Sequence, residues 1–268
     1  MDGLFSVEAW EKVWIFRETF LLGITNTLKM AFFALLISLI LGIIFGLMAT
    51  SGKKILEVIS RVYVELIQNT PLILQLCFVY YGFAFSGRSL GILVTGFLAL
   101  GVYHGAYMAE VIRAGIGAIH EGQFEAADSQ GFTYVQKMGY IILPQSIKII
   151  LPPMVNQVVA LIKNTSCMLL VGGAVDLISA TNAYAVGAST SRYAAAAYVF
   201  SGIIFFAICF PLSTIAGNWE KKLKNRELQS TTAVKKTAPD EVTDAELDLL
   251  IEQSKSDDDT LEKGGAQK

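Results

Sequence analysis

Charge is scarce in this 268-residue sequence: Asp, Glu, Lys and Arg make up 16% of it, against roughly 25% in an average soluble domain. Hydrophobic residues reach 53% and mean hydropathy is +0.52, which excludes an ordinary water-soluble globule and points to a chain that meets lipid. Cysteine is also sparse. Cys77, Cys167 and Cys209 lie far apart in apolar surroundings, with neither the paired spacing of a metal site nor the density of a disulfide framework, and read as buried space-filling thiols. A phosphate-binding loop is missing: the nearest string, "GLMATSGKK", has five residues between its glycines and no Ser or Thr after the lysine. HExxH and GxSxG strings are missing too, so the chain reads as catalytically empty, with any ATP chemistry left to a partner. The start, "MDGLFSVEAWEKVWIFRETF", lacks the basic n-region of a cleavable signal. It reads instead as an amphipathic segment over residues 1–20, with Trp10 and Trp14 at headgroup depth.

What remains is organised by gaps between charges. No Asp, Glu, Lys or Arg occurs at 30–52, 66–87, 89–109, 149–162 or 193–219, and a spanning helix needs about 20 mostly apolar residues. Four of the gaps are long enough, and the short one, "IILPPMVNQVVALI", suffices only if Lys163 lies at or within the membrane. The expectation is an all-α integral membrane protein with about five transmembrane helices, the fourth irregular. Basic residues alternate accordingly: Lys53, Lys54 and Arg61, then Arg113, Lys137 and Lys148, then Lys221, Lys222 and Lys224 fall on one side. The positive-inside rule then places the N-terminus outside and the 113–148 loop inside with the C-terminus. The formal charge of -2 averages unlike parts, since residues 1–224 hold 15 basic and 12 acidic side chains and residues 225–268 hold 6 and 11. The segment 225–268 is expected to be an acidic, disordered cytoplasmic tail after a transmembrane domain over 21–224.

Polar groups inside spans are expensive and read as functional by default. "YVELIQNTPLILQL" sets Glu65, Gln68, Asn69 and Thr70 ahead of Pro71, which breaks the helix ladder and requires another donor for the carbonyl it frees. Glu110 and Arg113 share a helix face, and Lys163 and Asn164 close the fourth span. Glu65, Gln68, Asn69, Thr70, Glu110, Lys163 and Asn164 are therefore the residues expected along a polar substrate path, and they offer both signs of charge. His104 reads as an interhelical hydrogen-bonding group. Gly42 and Gly46, with Gly101, Gly105 and Ala106, suit closely packed helices.

The longest polar interruption of the first 220 residues carries "EGQFEAADSQG", which fits a helix of two or three turns closed by Gly131. Its thin alanine surface, with Phe124 and Ala127 on one face and Glu125 beside them, reads as an element that docks in a partner's groove. The sequence here resembles a known family. Residues 125–144, "EAADSQGFTYVQKMGYIILP", match the EAA signature of bacterial ABC importer permeases at Glu125, Ala126, Ala127, Gly131, Ile141, Leu143 and Pro144. "QNTPLILQLCFVYYG", "GAYMAEVIRAGI", "LPQSIKIILPPMVNQVVALIKNTS" and "NWEKKL" are similar to its polar amino acid uptake branch. In two places the sequence departs from that branch. "IHEGQ" stands where Ile-Pro-Lys-Gly-Gln is usual, and Asn164 stands where Asp is common.

The resemblance implies a type I ABC importer permease fold whose coupling-helix loop, with Phe124, Glu125, Ala126, Ala127 and Gly131, docks ABC ATPase subunits. It also implies a second permease subunit, an extracytoplasmic amino acid-binding protein and residence in the bacterial cytoplasmic membrane, with no cofactor bound directly, ATP and Mg being held by the ATPase. Two rival readings are an ion-coupled secondary transporter or channel, with Glu65 and Glu110 binding protons or sodium, and a scaffold that recruits partners through its acidic tail.

Overall fold

The computed structural model describes residues 6–88, 90–172, 176–187 and 190–237. Among these the chain is helical. Helix α1 (Val7–Ile15) leads into α2 (Arg17–Ala49), followed by α3 (Lys54–Gln68), α4 (Leu72–Phe85) and α5 (Ile92–Gly117). Short helices α6 (Glu121–Ser129) and α7 (Tyr134–Lys137) precede a π turn (Met138–Ile142) and α8 (Leu143–Asn164), which tightens into a 3₁₀ turn (Thr165–Leu170). Helix α9 (Leu177–Val186) and a further 3₁₀ turn (Ser191–Tyr193) lead to α10 (Ala194–Thr237). Chain contacts separate a unit ending at Glu220 from one beginning at Lys221; within the latter, α10 stays helical to Thr237. The expected irregular tail therefore does not begin at 225, and the remainder of that expectation, 238–268, lies outside the described residues.

Four stretches are long and apolar enough to cross a bilayer: Arg17–Ala49, Ile92–Gly117, Tyr134–Leu170 and Ser191–Leu223. The pair α3 and α4 is long and apolar enough only when taken together, and it is bent by 98°. Pro71 makes this bend by removing the N–H that would bond the carbonyl of Ile67. Gln75 replaces it, donating Nε2 to Ile67 O at 2.9 Å, to Thr70 O at 3.2 Å and to Thr70 Oγ1 at 2.7 Å. The irregularity foreseen for the fourth span is present as the π turn before Pro144, and Pro152 and Pro153 lie within α8 without ending it. The first span begins earlier than the charge gap implied, because α2 takes in Arg17, Glu18 and Lys29. At about 1.5 Å per residue its 33 residues reach roughly 50 Å, enough to carry these charges beyond a hydrocarbon core of about 30 Å.

Helices α2 and α5 form the centre, and small residues let them touch. A Cβ on Gly42 would stand 2.6 Å from the Cβ of Met108, and one on Gly101 2.7 Å from the Cβ of Ile37. Gly46 meets Ile112 and Gly105 meets Leu41 in the same way. Each helix thus presents glycines to the other's branched or long side chains, which is how helices gain contact in lipid, where apolar burial alone gives no drive. Met30, Ala34, Ala99, Leu100 and Leu161 build the core around this seam.

The stretch after the fourth span resolves into α9, ten residues long and too short to cross. Buried Asp176 caps it, accepting from Ile178 N at 3.1 Å and from the Ser179 hydroxyl. Leu177 N donates to Thr27 Oγ1 at 3.0 Å, tying α9 to the first turns of α2. Helix α1 buries Ala9 and Val13 in a cluster with Tyr193, Ala196 and Ala197, and Glu8 accepts from the Tyr193 hydroxyl. Trp14 stays 65% exposed on its outer side, which fits an amphipathic element.

Candidate coupling loop and charged cavity

Helix α6 is built to be short and held. Its N-cap is His120, whose Nδ1 accepts from Gly122 N at 3.0 Å, a substitute for the usual hydroxyl or carboxylate cap. At the other end Gly131 adopts φ +77°. Its N–H bonds Asp128 O at 3.0 Å and that of Phe132 bonds Ala127 O at 3.1 Å, the paired bonds of a Schellman motif. Thr133 and Gln136 then form a capping box that starts α7 at once.

Burial sorts the signature residues. Ala127 is 1% exposed, and half-buried Phe124 packs on the cluster of Ile112, Ile116, Ile119, Met138, Ile142 and Ile150. Both expected docking residues thus turn toward the body of the chain, because α6 must anchor its apolar stripe somewhere. Glu125 and Ala126 face outward, with Gln123 and Asp128 exposed at the sides. Lys137 holds both oxygens of Asp128 at 2.7 Å. Gln145 Nε2 donates to Gln123 Oε1 at 3.3 Å, and the Tyr134 hydroxyl to Thr50 O at 3.3 Å.

The expected substrate-path residues fall into separate groups. Glu65, Gln68 and Glu110 line a cavity of about 500 Å³ between α3 and α5, together with Glu57, Ser60, Arg61, Val64, Ala109, Arg113 and Ala49. Glu57, Arg61 and Glu65 recur at four-residue steps on one face of α3, while Ile55, Val58, Ile59, Val62 and Leu66 are exposed on the other. Across the cavity Arg113 grips Glu110 through Nε at 2.9 Å and Nη2 at 2.6 Å. Apart from this pair and Lys137–Asp128, no ion pair forms among the described residues, and Glu57, Arg61 and Glu65 are not within salt-bridge distance of an opposite charge. Two bonds fix α3 in place, Ser60 Oγ to Phe45 O at 2.7 Å and the Tyr63 hydroxyl to Val102 O at 2.7 Å.

Asn69 and Thr70 do not line this cavity. They close α3, Asn69 Nδ2 donating to Glu65 O at 2.8 Å and Thr70 Oγ1 to Leu66 O at 2.9 Å. Asn164 is elsewhere as well, its Nδ2 3.1 Å from Nε2 of His104. His104 is 1% exposed and links α5 to α8, as an interhelical hydrogen-bonding residue would. Lys163, next to Asn164 in sequence, is exposed and outside the cavity. Glu57, Arg61 and Arg113 were not singled out as path residues from the sequence, although their four-residue spacing to Glu65 and three-residue spacing to Glu110 was the available signal.

The arrangement of short exposed helix, bent helix pair and charged cavity coincides with a sequence match. Residues 19–225 fit the model of the binding-protein-dependent transport system inner membrane component. The chain belongs to that family. Such permeases work with an ATPase held in a partner subunit, so this chain is a multi-pass membrane permease of the ABC importer type. A probable glutamine ABC transporter permease of Bacillus subtilis (strain 168), GlnM, is 38% identical over 202 residues, covering 75% of this chain and 92% of its own. The arginine transport system permease ArtQ of the same strain is 35% identical over 209 residues, covering 76% and 92%. A crystal structure of an amino acid ABC transporter with histidines superposes with a TM-score of 0.71 at 32% identity, over 79% of this chain and 97% of that one. An inward-facing structure of the MetNI methionine ABC transporter, at 19% identity and a TM-score of 0.58 over 78% and 98%, shares the fold.

Proposed function

We propose that this permease imports a polar amino acid, driven by ATPase subunits that dock on the outward face of α6. The observation that carries the reading is the exposure of Glu125 and Ala126 on a helix closed by Gly131 and followed at once by a membrane span. ATP binding draws the partner subunits together, their grooves move α6, and the attached span rocks to expose the polar cavity alternately to each side. The chain itself binds no nucleotide or metal and hydrolyses nothing in this scheme. A second permease subunit, identical or related, completes the path, and an extracytoplasmic binding protein delivers the substrate.

For the substrate, α3 and α5 supply what a zwitterion requires. Arg61 suits its carboxylate, and Glu57 or Glu65 its ammonium group, while the Glu110–Arg113 pair opposes them. Asn164, paired with His104, adds a second polar station between α5 and α8, with Lys163 next to it in sequence. The names of its relatives, with glutamine and arginine among them, support an amino acid as cargo. The basic residues Lys53, Lys54 and Lys148 support, by the positive-inside rule, an arrangement with the α6 side in the cytoplasm of a bacterial cell and the N-terminus outside. Substrate-stimulated ATP hydrolysis by the reconstituted complex, measured across a panel of amino acids with the cognate binding protein, tests the reading. Stimulation by a polar amino acid supports it, and stimulation by none of them sinks it.

A further inference from the structure

Lys137 occupies none of the fixed positions of the EAA signature, yet it makes the most specific contact on α6. Its side chain is 14% exposed and its Nζ lies 2.7 Å from each carboxylate oxygen of Asp128. The same ammonium stands 5.9 Å from the ring centroid of Phe124. Phe124 and Asp128 are one turn apart on one face of α6, so a single cation bridges that turn, joining an ion pair to a cation–π contact. Lys137 itself ends α7, inside the continuous span Tyr134–Leu170 and immediately before the π turn.

The other attachments of α6 differ in kind. Ala127 and Phe124 rest on an apolar cluster, which resists separation but is non-directional and permits sliding. The backbone link is brief and turns at Gly131 with φ +77°, where the two helices can pivot. Directional contacts resist rotation about that pivot, and of the two that α6 makes to the following span, the neutral Gln145–Gln123 bond is long at 3.3 Å whereas the charged Lys137–Asp128 pair is short at 2.7 Å.

We propose that Lys137 is the strut that converts displacement of α6 into displacement of the fourth span, acting as a positioning residue that touches neither the ATPase nor the substrate. The proposal rests on α6 being the ATPase-docking helix. With the strut cut, a partner still seats on Glu125 and Ala126, but α6 turns about Gly131 while the span lags.

The test uses the complete complex, with permease, ATPase subunits and binding protein, in proteoliposomes, and reads substrate taken up per ATP hydrolysed. Lys137→Met and Asp128→Asn are expected to retain the ATPase on co-purification and to lower the ratio roughly two- to five-fold, in line with a partly exposed ion pair. Lys137→Arg, and the exchanged pair Lys137→Glu with Asp128→Lys, are expected to restore it. Wild-type ratios in both single variants overturn the proposal, as does failure of the exchanged pair and of Lys137→Arg to recover. Amide exchange over 123–130 in the Asp128→Asn complex gives a reading independent of transport: faster exchange supports the strut, and unchanged protection removes it. Glu125→Arg separates the two ideas, because an ATPase retained at full strength by that variant refutes the docking reading, whatever Lys137 does.

Discussion

Replacing Gly42 by alanine adds one methyl group where the α2–α5 seam brings a new Cβ against a backbone-fixed Cβ of the other helix. The new Cβ would lie 2.6 Å from the Cβ of Met108 and 3.3 Å from its backbone carbonyl carbon, whereas carbon atoms rest at about 3.5–4.0 Å. Met108 is fully buried and its Cβ is fixed to the backbone of α5, so no rotamer change relieves the overlap. The helices must part by roughly 1 Å, and dispersion falls by a quarter to a half over gaps of that size. Overpacking of this kind costs about 1–3 kcal/mol, against a helix-propensity gain of about 1 kcal/mol for Gly→Ala. Gly82 and Gly202 are helical glycines with nothing within 4 Å of an added Cβ, so alanine there brings the propensity gain alone. Melting of the purified permease in nanodiscs, followed by size-exclusion fluorescence, is expected to rank Gly42→Ala below wild type and Gly82→Ala or Gly202→Ala at or above it. If Gly42→Ala melts with Gly82→Ala, close packing at the seam is not what holds α2 to α5.

The bend between α3 and α4 is expected to loosen in Gln75→Leu, which leaves the Ile67 carbonyl without its Nε2 donor. The loss is about 1–3 kcal/mol, visible as a lower melting temperature and as new proteolysis near residue 70, and an unchanged melt argues against this role. Gly131→Ala is strained by its φ of +77° although space is open around it. About 1–2 kcal/mol of α6 stability is expected to go, with Gly131→Asn losing less, since asparagine accepts the left-handed region. Equal losses in the two variants contradict the Schellman account. Removing the carboxylate of Glu110 frees Arg113 into the cavity, and Glu110→Gln is expected to raise the substrate concentration for half-maximal uptake more than it lowers the maximal rate. Unaltered uptake kinetics exclude that pair from the path.

Much of the fold was legible because lipid imposes length and polarity limits that a list of charges reveals. The spans, the break at Pro71 and the helix closed by Gly131 follow from single-residue rules: a missing N–H, a left-handed glycine, a run without charge. The facing of side chains was less legible. Phe124 reads from the sequence as a knob for a partner, and the structure also packs its half-buried ring against a cluster that holds Ile112, Met138 and Ile142, residues up to eighteen positions away that no local rule brings together. Asn69 and Thr70 looked like path residues because polar groups in spans are costly. Capping the end of α3 discharges that cost locally, and only the hydrogen-bond geometry reveals which use prevails. Gln75 could have been found, since a proline that frees a carbonyl calls for a donor within a turn.

The account stands on α6 passing work from an ATPase to the spans, and purification of the tagged full-length chain from its native membrane probes it most directly. The expected result is an ATPase subunit that co-purifies with the wild-type chain, is lost in Gly131→Arg, and supports uptake only when ATP is supplied. A chain that purifies without an ATPase and moves substrate in liposomes on a proton or sodium gradient alone contradicts it.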